Sequence, residues 1–129
     1  MTADLWALFA TLVLAAVQLS ASSILTLRQL GPEWVLSPRD QTLEVTGLSG
    51  RVVRAYRNLL ESFPLFLAAL FIVHAAHAAG VLTAVGAWLF VTGRAAYVPA
   101  YVFGAPGVRP ACWMAAQIGV FVIWADLFL

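Results

Sequence analysis

Arg51-Val-Val-Arg54-Ala-Tyr-Arg57-Asn58-Leu-Leu-Glu61-Ser-Phe-Pro64 is a dense polar run that leads straight into an apolar segment long enough to cross a bilayer. At roughly 100° per residue, Arg51, Arg54, Asn58 and Glu61 fall at about 0°, 300°, 340° and 280°, on one narrow helical stripe. Two guanidinium forks, an amide and a carboxylate therefore point the same way at the edge of a membrane. Charges are rare and costly at that depth, so they serve a purpose there. A solvated helix face accounts for two or three of these groups, but not for the continuation of the stripe into an apolar span.

Composition agrees with a membrane setting. The chain has 129 residues, 63% of them hydrophobic and 10% charged, and a mean hydropathy of +0.93. A soluble domain carries roughly 25% charged residues, so the expectation is an all-α integral membrane protein. The seven basic residues are all Arg and the net charge is +1. No broad basic face exists, which excludes a nucleic-acid partner. Cys112 is the only cysteine, so an intramolecular disulfide is ruled out, and a thiol in an apolar run reads as buried and inert. A chain this short has little interior to build alone, so oligomerisation is expected.

A membrane helix needs about 20 apolar residues. Four segments meet that length: 5–27, 62–79, 81–103 and 111–129. They predict a single four-transmembrane-helix bundle over residues 1–129. The first segment is read as a retained span. Its flank carries Asp4 and no basic residue, and its apolar run is too long for a signal peptide. Arg28, Arg39, Arg51, Arg54 and Arg57 all lie between the first and second spans, and Arg109 lies between the third and fourth. The bias of Arg toward the cytoplasm therefore predicts both termini outside and both Arg-bearing connections inside. Residues 28–50 contain Gly31, Pro32, Pro38, Gly47 and Gly50 without a helical apolar period, and are expected to be a loop. Ser49 is the expected N-cap of the next helix, and Pro64 is expected to kink it. Trp34 suits the membrane interface.

The third span carries a matching stripe. Arg94, Tyr97 and Tyr101 follow i, i+3, i+7 spacing. Arg94 would lie roughly 9–13 Å inside the cytoplasmic end, where an unpaired guanidinium is costly. Glu61 is its expected partner, leaving Arg54 and Asn58 for a ligand. Arg54, Arg57, Asn58, Tyr97, Tyr101 and Arg109 converge on the cytoplasmic third of the bundle. Arg forks, an amide and phenol hydroxyls fit a small anionic molecule with several carboxylate or amide groups. Two tyrosines on the stripe of a buried Arg favour a site over an aromatic belt. Arg57 lies off the tight stripe and also suits lipid phosphate, while Arg39 reads as a loop charge. His74 and His77 lack a third ligand, so no metal site is expected and an interfacial structural role is. The chain offers no nucleophile on this side. Chemistry there needs one brought by the ligand, whose anion Arg109 would stabilise.

The run from Arg51 to Pro64 resembles the RxxRAxxNxxExxP signature of the MAPEG family, the membrane-associated proteins of eicosanoid and glutathione metabolism. The series Arg94, Tyr97, Tyr101, Arg109 is similar to that family's second conserved region, and the likeness covers essentially the whole chain. The resemblance implies a homotrimer with glutathione between neighbouring subunits, open to the cytoplasm. It implies glutathione contacts from Arg54, Asn58, Glu61, Tyr97 and Tyr101, from Arg57 as in some branches, and from Arg28 at the end of the first span. Arg109 matches the Arg that activates the thiol. Pro110 stands where the prostaglandin-forming branch has a Ser, which disfavours that isomerase activity, and Ser62 replaces an aromatic contact of some members.

The expected function is therefore a microsomal glutathione transferase-like enzyme. It would conjugate or reduce lipophilic electrophiles that arrive from membrane lipid. The absence of Lys and the short ends point to a bacterial inner membrane. A non-catalytic lipid-binding or scaffold protein of the same fold is the alternative. A proton-coupled transporter ranks third, since the first span has no carboxylate between Leu5 and Leu27.

Overall fold

A computed structural model describes all residues, 1–129. Four helices account for nearly all of it: α1 (Ala3–Leu36), α2 (Gly47–Ala75), α3 (Val81–Val102) and α4 (Val108–Ala125), with a short 3-10 turn at Asp126–Phe128. There are no strands. Each helix is long and apolar enough to cross a membrane. The architecture is an all-α bundle of four membrane-spanning helices.

The segment expected to be a loop from Arg28 is shorter than the sequence suggests. α1 continues through Gln29 and Leu30, breaks at Gly31 (φ 82°, ψ 162°) and resumes through Pro32 to Leu36. The reason is local. Glycine takes the positive φ that ends one helix, and proline needs no amide bond in the first turn of the next. The connection proper is therefore 37–46. Gln29 closes it by donating from Nε2 to Thr46 Oγ1 at 3.0 Å and accepting from the Thr46 amide at 3.1 Å. The Trp34 indole donates to the Gln41 carbonyl at 3.1 Å. Arg39 lies over the Trp34 ring and donates to the Val35 carbonyl.

Thr46, and not Ser49, is the N-cap residue of α2; Ser49 lies inside the helix. Held by Gln29, the Thr46 side chain makes no capping bond of its own. α2 runs unbroken through Pro64, so the proline leaves the Leu60 carbonyl without its helical donor but does not end the helix. The helix stops at Ala75, four residues before the expected boundary, and His77 turns the chain with φ 54°.

Two polar fastenings close the end of the bundle away from the Arg cluster. His74 on α2 bonds the Asp4 carboxylate on α1. Asp126 accepts from the Gly80 amide at 3.0 Å and from the Thr83 amide and hydroxyl, each at 2.6 Å. Its carboxylate thus caps the start of α3, where the helix dipole favours negative charge.

The core between these ends is apolar and closely spaced. Phe66 and Phe90 stack with centroids 4.1 Å apart, surrounded by Ala7, Leu70, Val73, Ala87, Val120 and Ile123. α3 and α4 approach through small residues, as membrane helices do when close packing replaces hydrophobic drive. A Cβ placed on Gly119 would lie 2.5 Å from the Gly86 carbonyl oxygen, whereas one on Gly107 would meet nothing within 4 Å. Gly119→Ala is therefore expected to destabilise the protein by about 2 kcal/mol through overpacking, with Gly107→Ala nearly neutral. Thermal unfolding in detergent checks this, and equal melting of the two variants would refute the packing argument.

Candidate functional site

The site lies at the Arg-bearing end and is built by α2, α3 and the start of α4. Glu61 is the only acidic residue on α2 and α3, so charge counting alone would place it against Arg94. The structure has no such ion pair. Arg94 is buried at 1% exposure, whereas Glu61 is exposed. Asn58 stands between them. Arg94 Nη1 donates to Asn58 Oδ1 at 3.0 Å, and Asn58 Nδ2 donates to Glu61 Oε2 at 3.2 Å. The amide suits this place because it accepts on one side and donates on the other. Arg94 also packs its guanidinium 4.9 Å from the centre of the Tyr97 ring.

A second network lies nearer the helix end. Arg54 Nε donates to the Tyr101 hydroxyl at 3.2 Å. Arg109 places its guanidinium 5.1 Å from the Tyr101 ring centre, and Tyr97 tilts against Tyr101 with centroids 5.6 Å apart. The guanidinium groups of Arg54 and Arg109 therefore meet on one phenol, from helices joined only through the bundle. Beside them, Tyr101, Gly104, Pro106 and Arg109 line a cleft of about 160 Å³. Arg51 reaches the same turn, with Nη1 3.5 Å from where a Cβ on Gly104 would sit.

Neither Arg54 nor Asn58 is idle, contrary to the expectation that Glu61 would leave both for a ligand. Arg54 uses only its Nε, however, which leaves the Nη fork available. Asn58 retains one amide hydrogen and one lone pair. Arg57 is exposed and lies apart from both networks. It lines, with Arg39, Arg54, Glu44 and Trp34, a crevice of about 490 Å³ beneath the 37–46 connection. Arg28 is also exposed, on α1, and belongs to neither network. Arg39 reads as a loop charge in the sequence, but the structure places it against Trp34 and in the crevice. Its position three residues after an interfacial Trp-Val-Leu was the available signal.

The arrangement is a wall of cationic and phenolic donors carried on membrane helices, with one carboxylate at its rim. Such a wall takes an anionic ligand with several hydrogen-bonding groups. This defines the protein as an integral, multi-pass membrane protein with a polar site at one end of a four-helix bundle. The sequence profile of the MAPEG family matches residues 6–129. The chain belongs to that family. No curated protein sequence matches it.

The Arg94–Asn58 bond makes a sharp stability prediction. Asn58→Leu strands a buried guanidinium and is expected to cost about 3 kcal/mol. Asn58→Asp keeps an acceptor toward Arg94 at the loss of the bond to Glu61, and is expected to melt between Asn58→Leu and the parent protein. Denaturation in detergent, followed by circular dichroism, decides this; two variants of equal stability would show that Arg94 does not depend on Asn58.

Proposed function

We propose that this protein is a membrane-bound glutathione transferase that also reduces lipid hydroperoxides. The observation that carries the reading is the meeting of Arg54 and Arg109 on Tyr101, with Asn58 one turn and Glu61 two turns further along α2. Family membership supports it at the level of eicosanoid and glutathione metabolism. In this reading glutathione lies between subunits of a homotrimer, with the site open to the cytoplasm of a bacterial cell. Its carboxylates meet the Arg54 fork, Arg57 and Arg28. Its amine faces Glu61, and its peptide groups face Asn58, Tyr97 and Tyr101. Arg94 supports the wall through Asn58.

Arg109 faces the thiol. A guanidinium there stabilises the thiolate, which is the reactive form. In conjugation the thiol proton leaves to solvent, the sulfur forms a bond to the electrophilic carbon, and the leaving group departs with its electron pair. In reduction, two glutathione molecules supply two electrons to a hydroperoxide, giving an alcohol, water and the disulfide. The lipophilic partner reaches the site laterally from membrane lipid, so catalysis rests on proximity and electrostatic stabilisation.

Arg109→Ala is expected to lower turnover about tenfold or more while glutathione still binds. Conjugation of an aryl halide measures the first quantity and isothermal titration the second; unchanged turnover removes Arg109 from the mechanism. If millimolar glutathione leaves the melting temperature of the parent protein unmoved, the enzyme reading falls in favour of a non-catalytic lipid-binding or scaffold protein.

A further inference from the structure

Arg94 uses one donor on Asn58, and its Nε and Nη2 are buried without a partner. Every other buried, unpartnered side-chain polar atom belongs to α1: both amide atoms of Gln18 and the hydroxyl of Ser22. Gln18 is 4% exposed and Ser22 6%. Orphaned groups of this kind are uncommon, because a buried polar group without a partner destabilises the fold.

Helix register brings these atoms to one level. The Asp4–His74 bond aligns the start of α1 with the end of α2. Sixteen residues separate His74 from Asn58, about 24 Å of helix. The same length from Asp4 along antiparallel α1 ends between Gln18 and Ser22. Asn58 holds Arg94, so the unpartnered atoms of α1 and α3 share that depth. α1 packs against both α2 and α3, and Gln18 and Ser22 lie on its buried face with Asp4, Ala7 and Thr11.

We propose that Gln18, Ser22 and Arg94 enclose a buried hydration site, and that Gln18 is a positioning residue for Arg94. The site is polar on at least two sides, which is what an internal water needs. Arg94 Nε or Nη2 donates to the water, and the water donates to Gln18 Oε1. The water's other hydrogen goes to the Ser22 hydroxyl oxygen, one turn along α1. The resulting series runs Gln18, water, Arg94, Asn58, Glu61, and sets the rotamer of Asn58 in the ligand wall. The link to ligand binding rests on the glutathione reading; the hydration site itself does not.

Two substitutions test it in ligand-free protein. Leucine at this depth suits an apolar surrounding and a carboxylate does not, unless a guanidinium is close. Gln18→Glu is therefore expected to melt above Gln18→Leu, by about 4 °C or more. The reverse order, or equal melting, overturns the hydration site beside Arg94. Titration with glutathione tests the positioning role. Gln18→Leu is expected to weaken binding about fivefold, with Gln18→Glu restoring it. Unchanged affinity in Gln18→Leu overturns that role. If the parent protein does not bind glutathione, the function proposed above fails, while the melting order still decides the hydration site.

Discussion

A single buried guanidinium organises the Arg-bearing end of this bundle. Arg94 is removed from solvent about 12 Å inside the end of α3, where an unpaired charge costs several kcal/mol. Its one direct hydrogen bond goes to Asn58. That bond sets the register of α3 against α2 and turns the Asn58 amide so that its NH₂ group meets Glu61. It also draws Tyr97 over the charge, and Tyr97 in turn seats Tyr101. Arg54 and Arg109 are then positioned by Tyr101. Remove the demand that Arg94 be satisfied, and nothing in the apolar packing specifies where any of these groups should point.

The opposite end obeys different rules. Its polar groups are used up in fastening helices together: Asp4 with His74, and Asp126 with Gly80 and Thr83. In between, Gly86, Gly93 and Gly119 let α3 and α4 touch backbone to backbone. Lipid is as apolar as leucine, so helix association in a bilayer depends on close fit and on such polar pins. Large apolar residues accordingly face outward, Phe71 and Phe121 among them. The buried face of α1 is mostly polar, with Asp4, Thr11, Gln18 and Ser22. Helix-fastening bonds thus use up the polar groups at one end, and unused hydrogen-bonding capacity remains near the Arg cluster.

Much of this was legible in residue spacing. The helical angles of Arg51, Arg54, Asn58 and Glu61 place them on one face, and α2 presents Arg54, Asn58 and Glu61 to the elements bearing Arg94, Tyr101 and Arg109. Partner choice was not legible. Opposite charges suggest Glu61 with Arg94, but pairing depends on depth, and Asn58, of intermediate burial, bridges the buried cation to the exposed carboxylate. The end of α1 was missed for a related reason. Gly31-Pro32 reads as a terminator, yet the same pair supports a restart once glycine adopts positive φ. The role of Thr46 depends on Gln29, seventeen residues away, and no local pattern reports it. Periodicity reveals which residues share a face; it does not reveal which atom satisfies which.

Charge is distributed unevenly along the bundle. Arg54, Arg94 and Arg109 stand near one end of the bundle with only Glu61 among the acidic residues of α2 and α3. Glu61 is already bonded to Asn58, so it neutralises no guanidinium by direct contact. An excess of fixed positive charge beside a low-dielectric span is unfavourable to the folded protein by itself, and becomes favourable when an anion enters. Preorganised donors of this kind act most strongly on charge that forms inside the site, since they need no rearrangement when it appears. Among ligands of the proposed class, a thiol that ionises there gains more from the wall than one that remains protonated. The same imbalance that makes this end of the bundle poorly suited to structural support makes it suited to holding an anion.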